Sequence, residues 1–497
     1  MASSRSETRR NPRVAIVGAG MSGLCMAIQL KRAGILDFTI FEKSDRLGGT
    51  WRDNTYPGLA CDVPSRFYQF TFAPNPHWTH LYSPGDEIWQ YFDGLADRFG
   101  VRQHIRFGTE VVSGRHEDGA WLVETSDGQS AGFDFLISAT GILHHPRYPT
   151  IDGLNSFGGD LFHSARWDHD VPLEGRRLAV LGTGSTGVQI VVGTAGVAGR
   201  VLLFQRTPQW ILPLANREYT ALTRWAHRRF PRLNSFSYKA WRRIFETFAP
   251  ALTAPGWQRR YVQWVCRRHL RKITNPELRR RMTPDYEPMC KRLIVSSDFI
   301  ETIQRDDVDV VTEGIDHIEE RGIVTTDGKL HEIDVLVLAT GFDAHAYLRP
   351  MELVGDGGLT LDEAWRDGPQ AYHTVAVPGF PNFFMFMGPN SPVGNYSLTA
   401  IAEEQAAHVM YWLDTWRRGE VETVVPSRAA TDAFRARIRD AMPNTVWTTG
   451  CESWYIGQDG QPELFPWTPA RYRALLSDIR PGDFETTPFV RAGEAAQ

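Results

Sequence analysis

Two glycine strings constrain this 497-residue chain more than any other feature. Gly18-Ala-Gly-Met-Ser-Gly23 follows the apolar run at 13–17, and Gly182-Thr-Gly-Ser-Thr-Gly187 follows the apolar run at 177–181. Each run has strand length, stops at a glycine and gives way to helical apolar spacing, over 21–33 in the first case and from about 187 in the second. A second apolar run closes each unit, at 38–41 and 201–204. Strand, glycine turn, helix and strand make a βαβ unit of the Rossmann type. The first glycine permits the tight turn and the second lets the backbone approach a pyrophosphate. The third lets helix and strand pack closely, and the helix N-terminus favours the phosphate charge. The expected fold is α/β, with two Rossmann-like dinucleotide-binding domains.

The layout follows from two further strings. Residues 133–141 (FDFLISATG) and 333–341 (IDVLVLATG) are apolar strands that end alike in Ala-Thr-Gly, where the chain can cross between domains. This predicts a nested arrangement. One domain takes 1–145 and 342–497, and the other takes 146–215 and 288–341. A helical insertion fills 216–287, with breaks at Pro231, Pro255 and Pro276. The first twelve residues lack an apolar core and read as a short disordered tail, not a secretory signal.

Bulk properties exclude some functions. A net charge of −4 argues against a nucleic-acid binder. No apolar run reaches the eighteen or so residues of a membrane span. None of the cysteines 25, 61, 266, 290 and 451 forms a C-x-x-C pair, so no zinc knuckle or dithiol centre is expected, and the reducing cytoplasm is the simplest compartment. No helix carries metal-ligand spacing, so no metal is expected. Charge is uneven: residues 224–281 hold sixteen Lys/Arg and two acids, +14, which leaves −4 − 14 = −18 elsewhere. Solvated arginine faces account for this, as does a field that draws in a polyanionic cofactor; a membrane-surface role is ranked lowest.

The two nucleotide units differ where their second strands end. The first ends in Glu42, whose carboxylate can accept hydrogen bonds from ribose hydroxyls. The second ends in Phe-Gln-Arg206-Thr207, with no acid. A 2′-phosphate would repel a carboxylate and pair with arginine, so Arg206 and Thr207 point to NADPH, with Gly182, Gly184, Ser185 and Gly187 beneath its pyrophosphate.

Between the two loops, residues 157–168 read FGGDLFHSARWD, or F-x-G-x-x-x-H-x-x-x-W-D. Residues 48–62 read GG-x-W-x-x-x-x-Y-P-G-x-x-x-D. Both strings resemble signatures of the type I (class B) Baeyer–Villiger monooxygenases, and the resemblance runs over roughly residues 12–480. These flavoproteins use FAD, NADPH and O2 to insert oxygen beside a ketone, giving an ester or lactone through a C4a-peroxyflavin.

The resemblance implies several roles. Gly18, Gly20, Gly23 and Glu42 hold FAD, with Trp51, Asp62 and Tyr68 near the flavin and Val111 near the adenine. Lys291, in YEPMCKRL at 286–293, approaches the NADPH phosphate. Arg292 is the catalytic cation, held by Asp62. His163 and Trp167 couple the two domains. Residues 386–392 and 447–455 are candidates for the substrate pocket. A small-molecule ketone and O2 are the expected reactants, and oligomeric state stays open. The runner-up activity is oxidation of an amine or sulfide, whose flavin enzymes usually carry Tyr or Phe where Trp167 stands. A redox-sensing protein that binds both cofactors without turnover is the rival from another class. A disulfide reductase is disfavoured by the missing cysteine pair.

Overall fold

A computed structural model describes residues 11–391, 394, 396–451, 453–457 and 460–489. Residues 1–10 of the N-terminal tail, Pro392 and Glu452 therefore lie outside the described residues.

Two five-stranded parallel sheets organise the molecule. The first runs Phe383–Met385, Phe135–Ser138, Val14–Val17, Phe38–Phe41 and Ile105–Arg106. The second runs Val308–Val311, Arg200–Phe204, Arg177–Leu181, Val335–Leu338 and Asp160–His163. The central strand Val14–Val17 is buried throughout, which is why it carries an unbroken apolar run and not an alternating one. In each sheet the strand before the glycine loop is the middle one, so the loop emerges where neighbouring strands flank it on both sides.

The helices Met21–Arg32 and Ser185–Thr194 follow the loops. The first stops where expected: Gly34 takes φ +73°, and its N–H returns to the Lys31 carbonyl at 3.0 Å. The two Ala-Thr-Gly strings leave their sheets side by side. Arg147 N–H donates to the Gly341 carbonyl and Asp343 N–H to that of His145, both at 2.9 Å, which ties the crossing segments together.

The segment expected to be helical holds the helices Ala221–Arg229, Pro231–Phe248, Pro250–Thr253, Trp257–Leu270 and Pro276–Arg281. Pro231 and Pro276 each open a helix, where the missing N–H costs nothing. These helices do not belong to one sheet alone. Tyr238, Leu252 and Cys266 join the core of the first sheet, while Ile273 and Met282 join that of the second.

Candidate active site

The glycines of each loop divide into two kinds. A Cβ on Gly18 would lie 2.6 Å from the Ala139 oxygen, and one on Gly23 would lie 2.0 Å from the Gly18 oxygen. Gly182 and Gly187 repeat this, at 2.4 Å from the Ala339 oxygen and 2.0 Å from the Gly182 oxygen. Packing alone therefore demands glycine at the first and third positions. The middle glycines face space. The nearest atom to a Cβ on Gly20 is 3.7 Å away, and Gly184 has none within 4 Å. Protein packing gives no reason for a bare backbone there, and a pyrophosphate does. Both loops fit a dinucleotide on this ground.

Glu42 is buried at the end of its strand, and its carboxylate is already engaged. Oε2 accepts from the Ala19 N–H at 2.9 Å, and Oε1 accepts from Ser44 N–H and Arg52, each at 3.0 Å. Its first task is thus to hold the glycine turn against the following segment, with lone-pair capacity on Oε2 left for a ribose donor. Trp51 Nε1 donates to the Tyr68 hydroxyl at 3.1 Å, and the two rings meet edge-on at 5.6 Å. Val111 packs in the core with Phe41 and Phe133, so only its main chain is left to face an adenine.

Asp62 and Arg292 meet across 230 positions of sequence. The guanidinium Nε and Nη2 both donate to Asp62 Oδ2, at 3.0 and 2.6 Å. The Arg292 side chain is 38% exposed and that of Asp62 is 21% exposed. Asp62 raises the arginine above its ordinary pKa and outweighs the opposing effect of burial. Arg292 also sits beside the Tyr455 hydroxyl, whose pKa burial pushes up against the pull of that cation. Tyr455 in turn lines a narrow cavity with Trp454, Ile142, Met387, His345 and Glu463. A fixed cation beside a residue that lines a mostly apolar cavity suits a reaction in which negative charge grows on oxygen.

Comparison with known proteins gives the chain its family. The profile of the family described as FMO-like, flavin-binding monooxygenase-like, matches residues 11–350. An uncharacterized monooxygenase of Mycobacterium tuberculosis is 60% identical over 492 residues, 99% of each chain. A Baeyer–Villiger monooxygenase of Streptomyces coelicolor is 38% identical over 94% of this chain and 91% of its own. The crystal structure of cyclohexanone monooxygenase from Rhodococcus sp. Phi1 bound to NADP+ superposes with a TM-score of 0.86 at 28% identity, covering 97% of this chain and 100% of that one. The chain belongs to the flavin-binding monooxygenase family, among its Baeyer–Villiger members.

In this family member the second signature joins the two nucleotide units. Its Tyr56-Pro57-Gly58 docks on the helix of the other nucleotide loop. Tyr56 donates to Gln189 Oε1 at 3.0 Å, and Gln189 Nε2 donates to the Ala60 carbonyl at 2.9 Å. Gly58 has φ +81°, and a Cβ there would lie 2.4 Å from the Gln189 oxygen. The string F-x-G-x-x-x-H-x-x-x-W-D forms the edge strand Asp160–His163 and the turn after it. His163 is 1% exposed; its Nδ1 accepts from Ala165 N–H at 3.1 Å, so Nε2 donates to the Gly341 carbonyl at 3.2 Å. Burial lowers its pKa, which keeps the ring neutral and pinned to a crossing segment. Trp167 stacks edge-on against Phe162 at 5.1 Å.

Arg206 is exposed just past its strand, and the Thr207 carbonyl accepts from Thr183 Oγ1 at 2.7 Å. Tyr286, which the sequence reading did not single out, brings Lys291 toward them. Its hydroxyl donates to the Pro208 carbonyl at 2.9 Å, and Lys291 Nζ lies 4.7 Å from its ring centre. His345, Tyr347 and Glu463 were also missed. Tyr347 donates to Glu463 at 3.1 Å, and His345 contacts the same carboxylate oxygen at 2.9 Å. No local motif marks them, because the cavity they share exists only in the folded chain.

One cysteine pairing lies outside what the C-x-x-C pattern can reveal. Cys290 and Cys451 form a disulfide with Cα atoms 6.1 Å apart, although no neighbouring cysteine pair exists in the sequence. A search for close spacing misses a pair separated by 161 positions. The cysteine-based argument for a reducing compartment loses its premise with it.

Proposed function

We propose that this protein converts ketones to esters or lactones with NADPH and O2. Residues 1–145 and 342–497 hold FAD, and 146–215 with 288–341 hold NADPH. Gly18, Gly20, Gly23 and Glu42 cradle the FAD dinucleotide, and Trp51, Tyr68 and Asp62 stand toward its ring. Gly182, Gly184, Ser185 and Gly187 take the NADPH pyrophosphate, and Arg206, Thr207 and Lys291 take its 2′-phosphate. Bound FAD supplies the redox chemistry that passes electrons from NADPH to O2. No helix among the described residues is long and apolar enough to cross a membrane.

The observation that carries this reading is the Asp62–Arg292 pair beside Tyr455, a residue that lines the cavity. Ketone oxygenation puts negative charge on oxygen, and arginine stays protonated at any working pH. Asp62 fixes the direction of the guanidinium, so it need not reorganise as charge develops. At about 4 Å and an effective dielectric near 20, one such contact is roughly 4 kcal/mol, on the order of a thousandfold in rate. Neutral His163 and Trp167 position the crossing segments and move no proton.

The test is Arg292→Ala assayed with a panel of ketones and thioethers. Flavin bleaching by NADPH should persist, while ester formation falls by about a thousandfold. Ester made at the wild-type rate would remove Arg292 from its role. Wild-type enzyme that oxidises thioethers and leaves every ketone untouched would favour the heteroatom reaction instead.

A further inference from the structure

We propose that the outer face of the helix Trp257–Leu270, within the helical insertion, docks on an anionic lipid surface. This goes beyond the ketone reaction and does not rest on it. The sequence alone ranks a membrane-surface role lowest, since the aromatic residues of this segment suit a helical core as well. The structure separates the two uses. Val262 and Cys266 pack into the core of the first sheet, and His269 is buried on the same side of the helix. Trp257, Tyr261 and Trp264 share the opposite side, at i, i+4 and i+7, and stay 55%, 50% and 55% exposed. The helix therefore meets its core with one face and turns a second apolar face outward.

The outward rings form one strip. The Phe248 ring centre lies 5.8 Å from that of Trp257 and 6.0 Å from that of Tyr261, and Tyr261 lies 6.1 Å from Trp264. The Arg268 guanidinium ends the strip, 5.7 Å from the Trp264 ring centre. From Trp257 to Arg268 it runs about 16 Å along the helix axis. Ile244, one turn before Phe248 on the helix Pro231–Phe248, is exposed as well.

Cations border the strip. Residues 247–276 hold Arg259, Arg260, Arg267, Arg268, Arg271 and Lys272 and no acid. Some of these have structural work: Arg259 donates to the Ala251 and Leu252 carbonyls, and Arg267 pairs with Glu287 at 2.8 Å. Arg260, Arg268 and Arg271 are exposed on the aromatic side, and among the described residues no carboxylate pairs with them. The helix dipole accounts for cations in the last turn, but it disfavours Arg260 in the first. An anionic bilayer matches both halves of this face. Tryptophan and tyrosine rings seat at the headgroup level, and arginine pairs with lipid phosphate. A second copy of this chain would set like charge against like charge. A single-stranded nucleic acid is held in a groove that follows its backbone, and this face is the outer side of a helix.

The experiment is flotation of the FAD-loaded protein with vesicles of phosphatidylcholine, alone or mixed with about 30% phosphatidylglycerol. The protein should float with the anionic vesicles at about 0.1 M salt, leave them at about 1 M, and bind the neutral ones at least about tenfold more weakly. The triple variant Arg260→Gln, Arg268→Gln, Arg271→Gln should bind about a hundredfold more weakly, roughly fivefold for each charge. The triple variant Trp257→Ala, Tyr261→Ala, Trp264→Ala should lose at least about tenfold. Both should keep wild-type flavin content and NADPH-driven flavin reduction, which shows that they fold. Wild-type flotation of either variant, or equal binding to both kinds of vesicle, would overturn the proposal. Tighter binding to polyglutamate than to vesicles would assign the face to an acidic protein and overturn it too. So would a dimer that dissociates when the three aromatics are removed, since the face would then belong to a second copy. A charge variant that floats normally but needs more NADPH would give the arginines to cofactor steering instead.

Discussion

Arginine and aspartate at 292 and 62 show how one contact can carry a chemical argument. Both guanidinium bonds fall on the same carboxylate oxygen, so Asp62 steers the cation as well as balancing it. Asp62→Asn keeps the shape and removes the charge. Ester formation should fall on the order of a hundredfold while flavin reduction by NADPH persists, because a misaimed catalytic group costs about that much. Stopped-flow reduction beside product analysis checks it, and equal losses in both steps would mean that Asp62 serves the flavin generally. Arg206 makes a second prediction at this scale. Arg206→Ala should raise the KM for NADPH by about tenfold or more and leave that for NADH unchanged, since only NADPH carries the phosphate it would bind. Steady-state titration with both cofactors decides it.

At the scale of elements, the glycine turns separate packing from binding. Gly23→Ala puts a methyl group 2.0 Å from a main-chain oxygen, so the helix Met21–Arg32 cannot keep its place against Val14–Val17. Gly20→Ala meets nothing closer than 3.7 Å. The first variant should be largely insoluble. The second should fold with wild-type circular dichroism but retain less flavin, measured as absorbance near 450 nm against protein. A Gly20→Ala protein with full flavin content would break the link between that open position and a pyrophosphate. These turns were legible in the sequence because strand, glycine spacing and helix are consecutive, and sterics fix them locally. The docking of Tyr56 and Gly58 on Gln189 was not, although both residues were quoted as part of a motif. A motif shows which residues recur together and not which surface they press on. The Cys290–Cys451 bond and the His345–Tyr347–Glu463 cluster were hidden for the same reason, since their members lie more than a hundred positions apart and meet only in the folded chain.

The whole molecule is held by cores that share helices, so local titration is felt as global stability. The long helix Leu398–Arg417 packs against Met21–Arg32 behind the first glycine loop, and it carries Glu403 into that region. Thr71 donates to this carboxyl through both its N–H and its hydroxyl. Burial nevertheless dominates, with the neighbouring charge of Glu404 adding to it, and lifts Glu403 from the usual 4.5 to about 7. The folded state thus holds a proton that the unfolded chain releases near its ordinary pKa. The stabilisation is complete below about 4.5 and is lost as pH rises toward about 7, where a half-buried carboxylate must ionise in place. Glu403→Gln keeps the shape and abolishes the titration. The variant should melt with wild type at pH 5 and above it at pH 8, by about 1 °C for each kcal/mol removed in a chain of this length. Thermal melts across pH 5–8 with bound flavin held constant make the comparison. Parallel curves for the two proteins over that range would show that Glu403 is ionised throughout and that its hydrogen bonds to Thr71 outweigh its burial.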